Sequence, residues 1–187
     1  MEEKKENRRV QLTKKMVKES FIRLLEEKEI SDITIKELCE KADINRSTFY
    51  AHYSDQYDLM CKIQDELIEN VEVYLTPYIH DEMEDVSVEI VERIFEYVRE
   101  NAQICRLLLS ERGDLNFQKR VLNLVYGRYI SELRKTLALN REDAEYVYAY
   151  SITGCIGVIQ KWLNDDMKKS PRFMAEIVIN MTPGVPQ

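Results

Sequence analysis

Apolar residues recur along most of this chain at spacings of three and four, the interval at which side chains return to one face of an α-helix. The first series, Val17, Phe21, Leu24 and Leu25, follows Thr13, a residue type that caps helix starts, and predicts a helix opening there. Thr34 followed by Glu37 is a capping box ahead of the stripe Ile35, Leu38, Cys39 and Ala42. Asp43-Ile44-Asn45 then supplies a tight polar turn, with Ile44 reaching back to the core and Asn45 placed to cap a third helix from Arg46. In that helix Phe49 and Tyr53 share an inward face. A fourth helix, capped by Ser54, is expected from Asp55 towards Thr76 through Met60, Ile63, Leu67, Val71 and Tyr74, with Pro77 ending or kinking it before an acidic loop over 80–85. Val88, Val91, Phe95 and Val98 mark a fifth helix, and Ala102 to Leu109 a short sixth stopped by Gly113. Phe117, Val121, Leu124 and Leu133 mark a seventh. Asn140 and Asp143 open an eighth, Ser170-Pro171 opens a ninth that runs to about Met181, and Pro183 to Gln187 is a loose end. No segment alternates with strand period. The expected fold is all-α, about nine helices, with a three-helix unit over 1–53 and a helical body over 54–187.

Helices two and three, joined by so short a turn, make a helix-turn-helix, the geometry in which a second helix enters the major groove of DNA. With Phe49 and Tyr53 inward, Arg46, Ser47, Thr48, Tyr50, Ala51 and His52 share the sides and outer face. Their chemistry suits a duplex: an arginine forks onto guanine or phosphate, hydroxyls and an imidazole reach backbone oxygens, and Ala51 fits a thymine methyl. The same pattern also suits an ordinary capped helix pair whose polar face is solvated, and the residues alone leave both readings open. With Thr13 as cap, Lys14 and Lys15 fall in a first turn, where cations are unfavourable by roughly 0.3 to 1 kcal/mol and a DNA phosphate would relieve them.

From Thr13 to Leu59 the sequence resembles the DNA-binding region of the TetR family of bacterial transcriptional regulators. The resemblance is carried by Arg46, Thr48, the pair Phe49-Tyr50, the pair His52-Tyr53 and the acidic opening of the fourth helix over Asp55 to Leu59. It implies base reading by Arg46, Ser47 and Ala51 and phosphate contacts by Thr34, Asn45, Thr48, Tyr50, His52 and Tyr53. Two positions depart from the family pattern. Ser47 stands where Gly is common, and Gln56 stands where many members place a phosphate-binding Lys, leaving an amide in place of an ionic contact. Double-stranded DNA with a near-palindromic site, read by a homodimer acting as a repressor, is the partner this implies.

The eighth helix is apolar nearly all round from Tyr146 to Leu163, so it needs two partners. Ile152, Cys155, Ile156, Ile159 and Trp162 are the face left for a second surface, Gly154 and Gly157 permit close approach, and the ninth helix repeats Phe173, Ile177 and Met181. A fully buried central helix in a monomer is the alternative. The resemblance implies that these two helices pair across a two-fold axis, and that helices five to eight enclose a site for a small-molecule effector. Among eleven tyrosines, Tyr97, Tyr126, Tyr129 and Tyr148 are pocket candidates, and Arg106 either snorkels outward or meets an anionic ligand. The stretch Gly154 to Leu163 with Trp162 is also similar to the dihydroxyacetone-kinase-regulator-like subgroup, which implies control by a partner protein as the alternative.

The net charge of −7 is unevenly spread. Twelve Lys and Arg face eleven Asp and Glu over residues 1–53, four face fifteen over 54–111, and eleven face eight thereafter. The acid lies behind the reading head, so modest nonspecific affinity for DNA is expected. A basic cluster at Lys4, Lys5, Arg8 and Arg9 reads as a solvated terminus. The charged start argues against a secretory signal and no run of 18 apolar residues exists, so a cytoplasmic protein without a membrane span is expected. Cys39, Cys61, Cys105 and Cys155 form no C-x-x-C pair and have no His three or four residues away, which argues for reduced, mostly buried thiols over a metal site, a redox sensor or an enzyme. With two histidines and no glycine-rich phosphate loop, neither catalysis nor a cofactor is expected.

Overall fold

The computed structural model describes residues 2–79, 88–110, 117–121 and 137–181, with side chains at 2–7 and 74–79 excepted. Among these residues all regular structure is helical: α1 (Glu2–Glu27), α2 (Ile35–Lys41), α3 (Arg46–Tyr50), α4 (Gln56–Ile79), α5 (Val88–Glu100), α6 (Ala102–Leu108), the helical residues 117–121 (α7), α8 (Arg141–Asn164) and α9 (Pro171–Met181), with a 3-10 turn at Ile30–Asp32. The all-α expectation holds. No described helix is long and apolar enough to cross a membrane. Leu124, Leu133, Gly113, the acidic stretch 80–85 and the end from Pro183 lie outside the described residues. The chain divides into two compact units, Met1–Leu67 and Ile68–Gln187.

The first unit is built on side chains with almost no exposed surface: Val17, Phe21 and Leu24 from α1, Ile33, Leu38 from α2, Phe49 from α3 and Leu59 from α4. All but Ile33, which lies between the 3-10 turn and α2, come from the apolar stripe of a helix, and burying that stripe is what stabilises segments as short as α2 and α3, which are too brief to persist alone. Between them, Ile44 N donates to Cys39 O at 3.0 Å and Asp43 N to Glu40 O at 3.4 Å, the paired bonds of a Schellman ending, with Asp43 in left-handed backbone at φ 51.

Local starts differ from the sequence reading in instructive ways. α1 begins at Glu2 rather than Thr13, and the Thr13 hydroxyl donates to Arg9 O at 3.0 Å as a mid-helix threonine does. The first-turn argument for Lys14 therefore falls. Thr34 does cap α2, accepting from Glu37 N at 3.2 Å, but Glu37 turns its carboxylate to Lys28 Nζ at 2.6 and 2.7 Å. A charge-assisted contact of that kind outweighs a bond back to one backbone amide. Asn45 occupies the start of α3 without making a side-chain cap. Asp55 replaces Ser54 as cap of α4, its Oδ1 accepting from Tyr57 N at 2.9 Å and Asp58 N at 2.8 Å, because a carboxylate is the stronger acceptor at a helix start. Helical backbone continues past Pro77 to Ile79.

In the second unit α5 packs along α9, and Arg172 of α9 reaches Glu89 and Glu92 of α5 at 3.1 Å each and Glu176 at 3.2 Å. Asn140 and Ser170 open α8 and α9 as expected, accepting from Asp143 N at 2.9 Å and Phe173 N at 3.2 Å. α6 and α8 cap each other. Arg106 of α6 donates to Leu163 O, near the end of α8, at 2.9 and 3.2 Å, and Gln160 of α8 donates to Leu109 O at the end of α6. Each helix thus receives a side-chain donor from the other at its C-terminal end, and Leu163 O also accepts from Asp166 N at 3.2 Å.

Left-handed backbone is costly for any residue with a Cβ, and a carboxylate at the C-terminal end of α2 opposes the helix dipole. Replacing Asp43→Gly should therefore raise stability by about 0.5 to 1 kcal/mol despite the added freedom of the unfolded chain, read as a higher denaturant midpoint. A lower midpoint would show that the Asp43 side chain does something else.

Candidate nucleic-acid interface

The reading stretch extends beyond α3 itself. Phe49 N bonds Asn45 O at 3.2 Å, Ala51 N bonds Ser47 O at 3.1 Å, and His52 and Tyr53 N both bond Phe49 O at 2.9 Å. Rotation about this short axis is fixed by Phe49, fully buried, and Tyr53, 7 % exposed, whose rings meet at 5.4 Å. Every other side chain is then distributed by helical period. Asn45, Arg46, Ser47, Tyr50 and Ala51 are exposed, and Thr48, His52 and Gln56 are half-buried. Tyr50 stands 57 % exposed with its ring edge-on to Phe49 at 5.6 Å, a large aromatic held outward. Among the described residues, no hydrogen bond or ion pair engages the side chains of Asn45, Arg46, Ser47 or Tyr50.

The neighbouring cations are in a different state. Lys15, Lys18, Lys28, Lys36 and Lys41 each face a glutamate, at 3.9, 3.1, 2.6, 3.9 and 3.1 Å. Among the described residues Arg46 has no such partner, which leaves its guanidinium, unlike those lysines, open to an incoming anion. Lys14 is exposed on α1, and Thr34, also exposed, spends its hydroxyl on the α2 cap. Tyr53 points into the core, and burial, with the Glu66 and Asp58 carboxylates nearby, raises its phenol above the usual range, so it stays protonated. Its phosphate contact is the implied role least compatible with its place.

The turn from α3 into α4 is held by Asp58, which the sequence reading included in the acidic opening of the fourth helix without giving it a role. Its Oδ2 accepts from Ser54 N and from Lys62 Nζ, both at 2.9 Å, and these bonds depress its carboxyl below the ordinary value. Lys62 Nζ also donates to His52 O at 2.9 Å and lies 5.4 Å from the centre of the Tyr53 ring. The i, i+4 spacing of Asp58 and Lys62 was the available signal.

In the second unit, Trp162 is 3 % exposed, packs edge-on to Phe95 at 5.2 Å and donates its indole N–H to Lys169 O at 2.9 Å. It belongs to the core of its own chain. Ile152, Cys155, Ile156, Ile159 and Ile177 are half-buried and Phe173 is exposed. The open side of α8 is instead Tyr146 and Tyr150, 73 and 74 % exposed, with Gly154 and Gly157, where an added Cβ would meet nothing within 4 Å. Of the ligand candidates, Tyr97 is buried with its phenol accepting from Asn70 Nδ2 at 3.3 Å, and Tyr148 packs against Ala144 with Leu139 and Val147. Arg106 is occupied at the end of α8 and by Asp166 at 3.2 Å. Tyr126 and Tyr129 lie outside the described residues. Burial raises the Cys39 thiol, and lifts Cys105 to about 12, which makes both poor nucleophiles. Among the described residues no group of His, Cys, Asp and Glu could hold a metal ion.

Comparison with known proteins adds a lineage to this geometry. Residues 85–184 match a TetR-type family model described as a transcriptional regulator C-terminal region. An uncharacterized HTH-type transcriptional regulator of Bacillus subtilis (strain 168), YxbF, is 24 % identical over 175 residues, which is 87 % of this chain and 42 % of that relative's length. The fold is similar to that of a TetR transcriptional regulator from Streptococcus agalactiae 2603V, with TM-score 0.65 at 20 % identity over 95 % of this chain and 97 % of the other. It is also similar to that of FadR, a transcriptional regulator from Bacillus subtilis solved in complex with stearoyl-CoA, with TM-score 0.65 at 12 % identity over 91 % and 98 %.

Because the folded-state pKa of Asp58 lies below its unfolded value, the turn's stabilisation is complete above the ordinary carboxylate range and is lost as pH falls through the depressed value. Acid titration of the protein, followed by melting, should show this loss, and Asp58→Asn should flatten it. An identical acid profile in the variant would contradict the role given to this carboxylate.

Proposed function

Since the chain belongs to the TetR family of transcriptional regulators, we propose that it binds a near-palindromic DNA site as a homodimer, with α3 in the major groove, and represses transcription until an effector acts on its body. The observation that carries the reading is the outward ridge of Arg46, Ser47, Tyr50 and Ala51, whose side chains, fixed in direction by the burial of Phe49, make no hydrogen bond or ion pair among the described residues. In this reading Arg46, Ser47 and Ala51 meet base edges, and Asn45, Thr48, Tyr50, His52 and Gln56 meet the backbone. Asn45 suits that work because its side chain is not spent on a cap. Lys14 contributes a backbone charge from α1. The lysines already paired with glutamates lower the general attraction to DNA, so the reading depends on fit more than on charge.

Dimerisation belongs to the same proposal. We assign the contact to the open side of α8, Tyr146, Tyr150, Gly154 and Gly157, with Phe173 of α9, while Trp162 stays in its own core. Two bare glycines let backbones approach and the tyrosines supply apolar area with a polar tip. A two-fold pair presents two reading ridges to successive grooves roughly 34 Å apart. An effector that binds one arrangement of the dimer better than another shifts that population and releases the DNA. Tyr97 and Tyr148 remain candidates to line its site. The chain acts in this reading as a cytoplasmic regulator and not as an enzyme.

Selection of duplex fragments by the purified protein should recover a related set of near-palindromic sequences. Arg46→Ala should then cost about 1 to 3 kcal/mol and relax preference at one position per half-site, whereas Lys14→Ala should weaken all sequences alike and reduce the salt slope by about one. Unbiased fragments from the wild-type protein would overturn the reading. Separately, Gly154→Arg should convert the sedimenting dimer to monomer, and a dimer that survives it would move the contact elsewhere.

A further inference from the structure

We infer that Lys62 is a positioning residue for the reading helix: it does not touch DNA, but holds the C-terminal end of the α3 stretch at the angle from which Arg46 and its neighbours can read. The inference rests on the DNA-reading proposal above. Its geometry is confined to the first compact unit, where a single ammonium gathers three separate groups. Nζ donates to His52 O at 2.9 Å, a carbonyl at the exit of the reading stretch, and to Asp58 Oδ2 at 2.9 Å. The same carboxylate oxygen accepts from Ser54 N at 2.9 Å, so the turn between α3 and α4 is closed through Lys62 on both sides. The ammonium also lies 5.4 Å from the centre of the ring of Tyr53, which in turn meets the rings of Phe49 at 5.4 Å and His52 at 6.2 Å.

The arrangement matters because α3 has five residues. A helix of little more than one turn cannot set its own direction by internal hydrogen bonds, and its orientation comes from what grips its two ends and its buried face. Phe49 fixes the rotation about the axis, and the Schellman turn at Asp43 and Ile44 fixes the entry. The exit is fixed by Lys62. An ammonium fits there better than a neutral donor, since it faces a helix-end carbonyl and a carboxylate together and lies over the face of the Tyr53 ring. Lys62 is not a displaced phosphate contact standing in for the lysine missing at Gln56, because its charge is already matched by Asp58.

The test uses the full chain with two probes: duplex fragments recovered by wild-type selection, and random-sequence duplex. Lys62→Met, which keeps the stem and removes the donors, should lower affinity for the selected fragments about tenfold. Affinity for random duplex and the slope of affinity against salt should stay as in the wild type, and Lys62→Arg should recover most of the loss. Backbone amides of Ala51, His52 and Tyr53 should exchange with solvent faster in Lys62→Met while those of α1 do not change. Equal affinity of the folded Lys62→Met variant for the selected fragments overturns the inference. So does a salt slope reduced by about one, which would make Lys62 a phosphate contact. If Lys62→Met does not stay folded at the assay temperature, Lys62→Gln is read against the same outcomes. If the wild-type protein selects no fragment, the DNA-reading proposal fails on its own, and the exchange rates alone decide whether Lys62 holds the end of α3.

Discussion

The burial of Phe49 is the constraint on which the first unit turns. A five-residue helix has no stable orientation of its own, and an aromatic side chain with no exposed surface gives it one. Once that ring is buried, the period of 3.6 residues leaves no freedom about where Arg46, Ser47, Tyr50 and Ala51 point. The polar ridge thus follows from an apolar decision. Loss of packing at this one position would disperse the ridge without altering any residue in it.

How much of this was legible beforehand depended on the range of the interaction. The helices of the head, the turn at Asp43 to Asn45 and the starts of α8 and α9 follow from local signals that the fold does not override: a stripe, a short polar run, a cap residue. Where a second acceptor or donor competed, local reading failed. Glu37 was drawn to Lys28 rather than to its own backbone, and Asp55 displaced Ser54 as a cap. Thr13 looks like a start in isolation, yet the helix runs through it and the hydroxyl simply folds back on Arg9 O. The roles of Lys62 and Arg106 were hidden for a different reason: each caps a carbonyl on another segment, at separations of 10 and 57 residues, and no periodicity reports that. In α8, an all-round apolar pattern announced two buried sides without saying which residue faces which. That is why Trp162 proved to be core while Tyr146 and Tyr150 stand open.

The body shows the same economy of helix ends. α6 and α8 exchange side chains at their C-termini, and α9 is laid against α5 with one arginine among three carboxylates. That cluster holds the Arg172 guanidinium more firmly protonated than usual, and since all four groups are partly open to solvent the arrangement contributes more to alignment than to stability. Polar contacts at the ends and apolar stripes along the lengths divide the work: the stripes hold the helices together, and the ends set how far one can slide past another.

Trp162 carries a practical corollary. It is the sole tryptophan of the chain, and it sits in the second unit against Phe95 with its N–H engaged by Lys169 O. Its emission is therefore a built-in optical gauge of the body alone. Water reaching the indole will redden that emission whether or not the tyrosine-only head has come apart, so fluorescence and circular dichroism together can time the two units' unfolding without any added dye.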